Sequence, residues 1–241
     1  MSKFERLGLT STLTRELANA GFSLPTPIQE KSIPLALEGH DILGLAQTGT
    51  GKTLAFGLPM IERLLATAGK PAPKSVKALV LAPTRELANQ IADSLRPMAR
   101  PTPLRIATVV GGQSINRQIT TLSRGVDILV ATPGRLIDLM DRGDVHLSTV
   151  RFLVLDEADQ MLDMGFIHAL RKIAPRLGTP RQTMLFSATM PKQMEELSRS
   201  YLTNPRRVQV APPGKTADKI EQSVHFVEKP EKPALLREIL S

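Results

Sequence analysis

The sequence predicts an α/β domain built on a mostly parallel sheet with helices on both faces. Three observations lead there. Short β-rich apolar runs alternate with segments of helical periodicity along most of the chain. Each run ends in a cluster of polar or small residues, where a strand turns toward a helix. With 241 residues and 41% hydrophobic content, the chain can bury a core of that kind.

Two helices precede the first strand, one starting near Thr10 and one near Thr26. Strands are predicted over residues 41–46, 78–82, 105–110, 127–131, 151–155 and 182–187. In the same order they lead into Gln47-Thr48-Gly49, Pro83-Thr84-Arg85, Gly111-Gly112, Thr132-Pro133-Gly134, Asp156-Glu157 and Ser187-Ala188-Thr189. Open parallel sheets bind ligands beyond the carboxyl ends of their strands, so these six clusters are expected along one edge. The pattern leaves strand order open. After Pro205, residues 206–210 read as a last strand, 211–218 as a linker by composition, 223–227 as a strand and 231–240 as the start of a helix. A lone strand and helix cannot bury an apolar face. Residues 1–205 are therefore expected to form one complete domain, and 206–241 to carry the last strand, the linker and the truncated start of a second.

Composition narrows the function. Without cysteine there is no thiol catalysis, thiolate metal site or disulfide framework, which fits a reducing compartment. A net charge of +8 favours a polyanionic partner. Seven Phe, one Tyr and no Trp leave few platforms for stacking bases, so contact with a nucleic-acid backbone is the better-equipped mode. The apolar runs are far too short to cross a bilayer and no secretory signal opens the chain, so a cytoplasmic protein without membrane association is expected. His40, His146, His168 and His225 lack metal-ligand spacing. Arg171, Lys172, Arg176 and Arg181 read as a solvated face.

The stretch Ala46-Gln47-Thr48-Gly49-Thr50-Gly51-Lys52-Thr53 follows an apolar strand and opens a helical segment, the context of a phosphate-binding loop. Ala46 stands where the strict pattern has Gly. Gly49 and Gly51 let backbone N–H groups turn toward phosphate oxygens, Lys52 supplies a cation, and the Thr53 hydroxyl can ligate Mg²⁺. The complementary half is the strand running into Asp156-Glu157-Ala158-Asp159. There Asp156 would hold Mg²⁺ and Glu157 would position or deprotonate an attacking water. Taken alone, this acidic cluster could equally balance a helix dipole; paired with the loop it reads as catalytic.

Asp156-Glu157-Ala158-Asp159 spells the name of the DEAD-box RNA helicases, and the chain from Phe4 to about Pro205 resembles their first RecA-like domain with its N-terminal extension. Seven motifs stand in family order. They are the Q motif from Gly21 to Gln29, the phosphate loop, Pro83-Thr84-Arg85-Glu86-Leu87-Ala88, Gly111-Gly112, Thr132-Pro133-Gly134-Arg135, the acidic motif and Ser187-Ala188-Thr189. The resemblance is strongest to the bacterial RhlE-like subgroup.

The resemblance implies a RecA-like P-loop fold and an ATP-dependent RNA helicase using ATP and Mg²⁺. In the family Gln29 bonds the adenine edge, Phe22 packs on its face, and Phe4 supports the motif from upstream. A side-chain amide matches the N6 and N7 of adenine, and no Asn-Lys-x-Asp guanine-reading motif occurs. Pro83, Thr84, Arg85, Gly111, Gly112, Thr132, Pro133, Gly134 and Arg135 resemble the family's contacts to RNA backbone, although ordinary caps and turns would also use such residues. Ser187 and Thr189 would bond to Asp159 and couple nucleotide state to strand separation. The implied partners are RNA, bound without regard to sequence, a second RecA-like domain of the same protein, and RNA-processing or ribosome-assembly factors. That second domain delivers arginines to the γ-phosphate, so the present chain is expected to bind nucleotide, hydrolyse it slowly and unwind nothing. The competing readings are an adenine-nucleotide-dependent RNA-binding scaffold without turnover, and a DNA-directed motor.

Overall fold

The structure is a computed structural model that describes residues 2–67, 69–210 and 223–240. Helices α1 (Ser11–Asn19) and α2 (Pro27–Leu37) precede strand β1 (Ile42–Leu45), and α3 (Lys52–Leu65) follows it. Then come β2 (Val76–Leu81), α4 (Arg85–Ala99), β3 (Ile106–Val109), α5 (Ile115–Leu122), β4 (Val126–Ala131) and α6 (Pro133–Asp141). Strand β5 (Phe152–Leu155), α7 (Ala158–Asp163), α8 (Ile167–Ile173), β6 (Gln182–Ser187), α9 (Lys192–Tyr201) and β7 (Arg206–Gln209) complete the layers.

The seven strands form one sheet in the order β3-β4-β2-β5-β6-β1-β7, and every pairing is parallel. All carboxyl ends therefore lie along one edge. Strand β6 separates β1 from β5, so the loop after β1 and the acidic motif after β5 flank the end of β6.

Period-two alternation along each strand feeds two cores. Ala78, Val80, Val154, Met184 and Phe186 join a core with Leu17 of α1, Ile33 of α2, Phe56 of α3 and Leu95 of α4. Leu79, Leu81, Leu153, Leu155 and Leu185 face the other core with Leu122 of α5, Leu136 of α6, Met161 of α7, Ile173 of α8 and Leu197 of α9. The first core leaves no room at Gly44, where an added Cβ would run into the Phe186 ring.

Residues 211–218, predicted as a linker, lie outside the described residues. The strand expected over 223–227 does not form. Among the described residues that segment has no neighbouring strand to pair with, and Val224 and Phe226 are exposed. Helix α10 (Lys232–Ile239) follows, with Leu236 and Ile239 also exposed. Among the described residues no helix is long and apolar enough to cross a membrane.

Candidate functional site

The loop between β1 and α3 turns on two glycines in the left-handed region, Gly49 at φ 80° and Gly51 at φ 89°, which side-chain-bearing residues rarely occupy. Thr50 Oγ1 donates to the Gln47 carbonyl at 2.8 Å and ties the turn to itself. Helix α3 then begins at Lys52, so its free N–H groups and positive dipole end face the loop.

Lys52 is buried, and its Nζ lies 3.7 Å from Asp156 Oδ1. This is an ion pair without a hydrogen bond, and Nζ has no hydrogen-bond partner among the described residues. Asp156 is buried at the end of β5, with its Oδ1 accepting the Glu157 N–H at 3.1 Å. Burial pushes its carboxyl up to about 6; the Lys52 charge works against that shift and the Glu157 charge with it. Beside it, Thr48 Oγ1 donates to Glu157 Oε1 at 3.1 Å. Glu157 has φ 51° and ψ 51°, a left-handed conformation that costs a non-glycine residue about 1–2 kcal/mol. The strained turn aims the side chain of residue 157 at the phosphate loop instead of letting it continue along α7.

These residues fit a nucleotide and its metal. A buried ammonium without a hydrogen-bond partner among the described residues suits phosphate oxygens, and a deprotonated Asp156 carboxylate and the Thr53 hydroxyl are oxygen donors of the kind Mg²⁺ takes.

The third cluster sits between them. Asp159 Oδ2 accepts from the Ala188 N–H (3.1 Å), the Thr189 N–H (2.9 Å) and the Thr189 hydroxyl (2.9 Å). Ser187 does not reach Asp159; its hydroxyl donates to the Thr189 carbonyl at 2.7 Å.

Gln29 is buried against the phosphate loop. Its Oε1 accepts the Thr26 N–H at 2.9 Å and its Nε2 donates to the Gly51 carbonyl at 3.0 Å. An amide carries two donors and two acceptor sites, so one of each remains for a base edge. Phe22 is 45% exposed and available for stacking. Phe4, in contrast, is buried in the first core with Leu9, Leu13 and Leu17.

Along the same edge, Thr84 caps α4 by accepting the Leu87 N–H at 3.1 Å, and Pro83 is buried beneath it. Arg85 lies across Gly112, where a Cβ would collide with its guanidinium. Gly111 and Gly134 have open space where a side chain would stand. Thr132 precedes Pro133 at the start of α6, and its N–H donates to the Val109 carbonyl at 3.0 Å. Arg135 is held between the Gln113 carbonyl (3.0 Å) and Asp138 (3.8 Å), with only part of its donor fork free. Gln113 and Gln118 are not among the predicted site residues. Gln118 Nε2 donates to the Val110 carbonyl at 2.9 Å, and its signal in the sequence is only its position on α5.

Comparison with known proteins matches residues 26–197 to the DEAD/DEAH box helicase family. The chain is 43% identical to DEAD-box ATP-dependent RNA helicase 52A of Oryza sativa subsp. japonica over 98% of its own length and 42% of that protein. It is 46% identical to RNA helicase CrhR of a Synechocystis species, covering 94% of this chain and 45% of the relative. It thus spans less than half the length of these curated relatives. Among solved structures, a DEAD box protein from the hyperthermophile Methanococcus jannaschii superposes with a TM-score of 0.79 at 37% identity, covering 98% of this chain and 62% of that one. A hypothetical ATP-dependent RNA helicase from Sulfolobus tokodaii gives a TM-score of 0.76 at 36% identity, covering 84% and 57%.

Proposed function

The chain belongs to the DEAD/DEAH box helicases, and from that premise we propose that it is the nucleotide-binding RecA-like domain of an ATP-dependent RNA helicase. The observation that carries this reading is the buried Lys52 ammonium, unbonded and 3.7 Å from Asp156. Lys52 and the loop N–H groups hold the triphosphate. Thr53 and Asp156 hold Mg²⁺, which when bound neutralises charge on the phosphates. Glu157 orients a water and takes its proton. Gln29 and Phe22 bind the adenine, and the Gln29 bond to Gly51 joins base and phosphate recognition in one unit.

RNA lies along the same edge, held through its phosphates by Thr84, Arg85, the N–H groups at Gly111 and Gly112, and the start of α6. Such contacts ignore base sequence and weaken with salt. Asp159 carries the nucleotide state to the loop after β6. A second RecA-like domain closes over this one and supplies arginines worth roughly 10³ to 10⁵ in rate; relatives more than twice as long support that division.

RNA-stimulated ATP hydrolysis tests the reading, comparing this chain with one extended by the second domain. Stimulation only in the extended chain is expected. Full turnover by this chain alone would overturn the two-domain assignment.

A further inference from the structure

We propose that a bound RNA strand continues past Gly111 and Gly112 into a polar groove between α5 and the free edge of β3, where Arg117 takes a phosphate and Gln118 accepts from a sugar hydroxyl. This rests on the RNA-backbone reading above.

Strand β3 ends the sheet order, and among the described residues it pairs only with β4, which leaves its outer side open. Against that side lies a groove of about 420 Å³, lined among others by Thr108, Gln113, Ser114, Arg117, Gln118 and Thr121. Among the described residues no carboxylate lines it, and Arg117 is exposed in the first turn of α5. The groove is continuous in sequence with the two glycines, and Arg135 fastens its Gln113 wall to the start of α6. Arg117 lines the groove that opens at Gln113, the residue after Gly112.

Gln118 supplies the second, independent observation. It is 5% exposed, and its Nε2 is fixed by the Val110 carbonyl, yet among the described residues its Oε1 is buried without a hydrogen-bond partner. An unmet buried acceptor is costly and calls for a donor. A phosphate diester has none, whereas a ribose 2′-hydroxyl donates. An arginine for an anion beside an acceptor for a hydroxyl matches the repeating unit of an RNA backbone. Among the described residues no aromatic lines the groove, which leaves it without a platform for stacking bases.

Fluorescence anisotropy on this chain, with labelled hexauridine and pentadecauridine, tests the path. Arg117→Ala is expected to weaken the longer strand by about 3- to 10-fold and to lower its salt slope by about 0.7, the value for one lost phosphate contact on a single strand. Hexauridine, short enough to be held by the Thr84 to Arg135 contacts alone, should bind within about twofold of the parent, as one surface charge off its path requires. A longer strand with deoxyribose outside a hexanucleotide RNA core should bind the parent less tightly than the all-RNA strand, and equal affinity overturns the hydroxyl contact. If Arg117→Ala and Arg117→Glu bind the longer strand like the parent while Arg135→Ala weakens both lengths, the groove is not on the path. If Thr84→Ala and Arg135→Ala change neither length, the failure belongs to the RNA-backbone reading itself.

Discussion

Lys52 Nζ stands 3.7 Å from Asp156 Oδ1, near enough to attract and too far to hydrogen-bond. Both groups are buried, so each lacks water and depends on the other's charge. The ammonium keeps all three donors uncommitted, and the carboxylate spends one lone pair on the Glu157 N–H.

Lys52→Met leaves Asp156 buried without its counter-charge. A loss of about 3 kcal/mol in stability is expected, the scale for breaking a buried pair. Adding Asp156→Asn to that chain should restore most of it. Urea unfolding of the four chains in the cycle reads the coupling; purely additive effects would show that the pair contributes none.

Asp156 makes the stability of the fold depend on pH. Its folded pKa of about 6 lies above the ordinary carboxylate value of 3.8, so between those limits the folded state holds more protons than the unfolded. Stability contributed at this site is full at low pH and is lost as pH rises toward 6. Relative to Asp156→Asn, the parent should therefore lose stability from about pH 4 to about pH 6 and run parallel above it. A parent that gains stability relative to the Asn chain over that window contradicts the burial effect.

Glu157 combines strain with chemistry. Glu157→Gln keeps the backbone and removes the base, so ATP binding should stay within about threefold of the parent while turnover falls at least about 100-fold in the two-domain protein. Glu157→Gly releases the left-handed conformation and should gain about 0.5 kcal/mol in thermal unfolding while also losing turnover. A Gln chain that fails to bind nucleotide points to a structural role.

Asp159 receives three donors on one oxygen. Asp159→Ala orphans them and should cost about 2 kcal/mol, whereas Asp159→Asn retains an acceptor and should cost less than about 1. In the two-domain protein the Ala chain should hydrolyse ATP with weakened RNA stimulation. Undiminished stimulation would dissociate Asp159 from coupling.

The sheet was largely legible because burial on both faces needs uninterrupted apolar runs, and all six strands before Pro205 form where those runs occur, with ends shifted by a residue or two. Their order was not legible, since it depends on which helix faces fit together across long connections. The strand expected over 223–227 failed because an alternating pattern specifies a strand only when a neighbour supplies its ladder. In the site, the glycines and the Lys, Asp and Glu types were readable from spacing. The double use of Gln29, the burial of Phe4 in the first core and the tethering of Arg135 to Gln113 were not. Each depends on a contact between segments far apart in the chain, which local pattern does not encode.

The interposition of β6 between β1 and β5 acts as a ruler. Neighbouring strands lie about 4.8 Å apart, so the loop after β1 and the carboxylate after β5 are held roughly 10 Å apart at their roots. Lys52 reaches across it to Asp156 and Glu157 reaches back to Thr48, and an alanine or serine at position 52 would fall short of Asp156. The backbone spacing itself selects the length of the residue that crosses it.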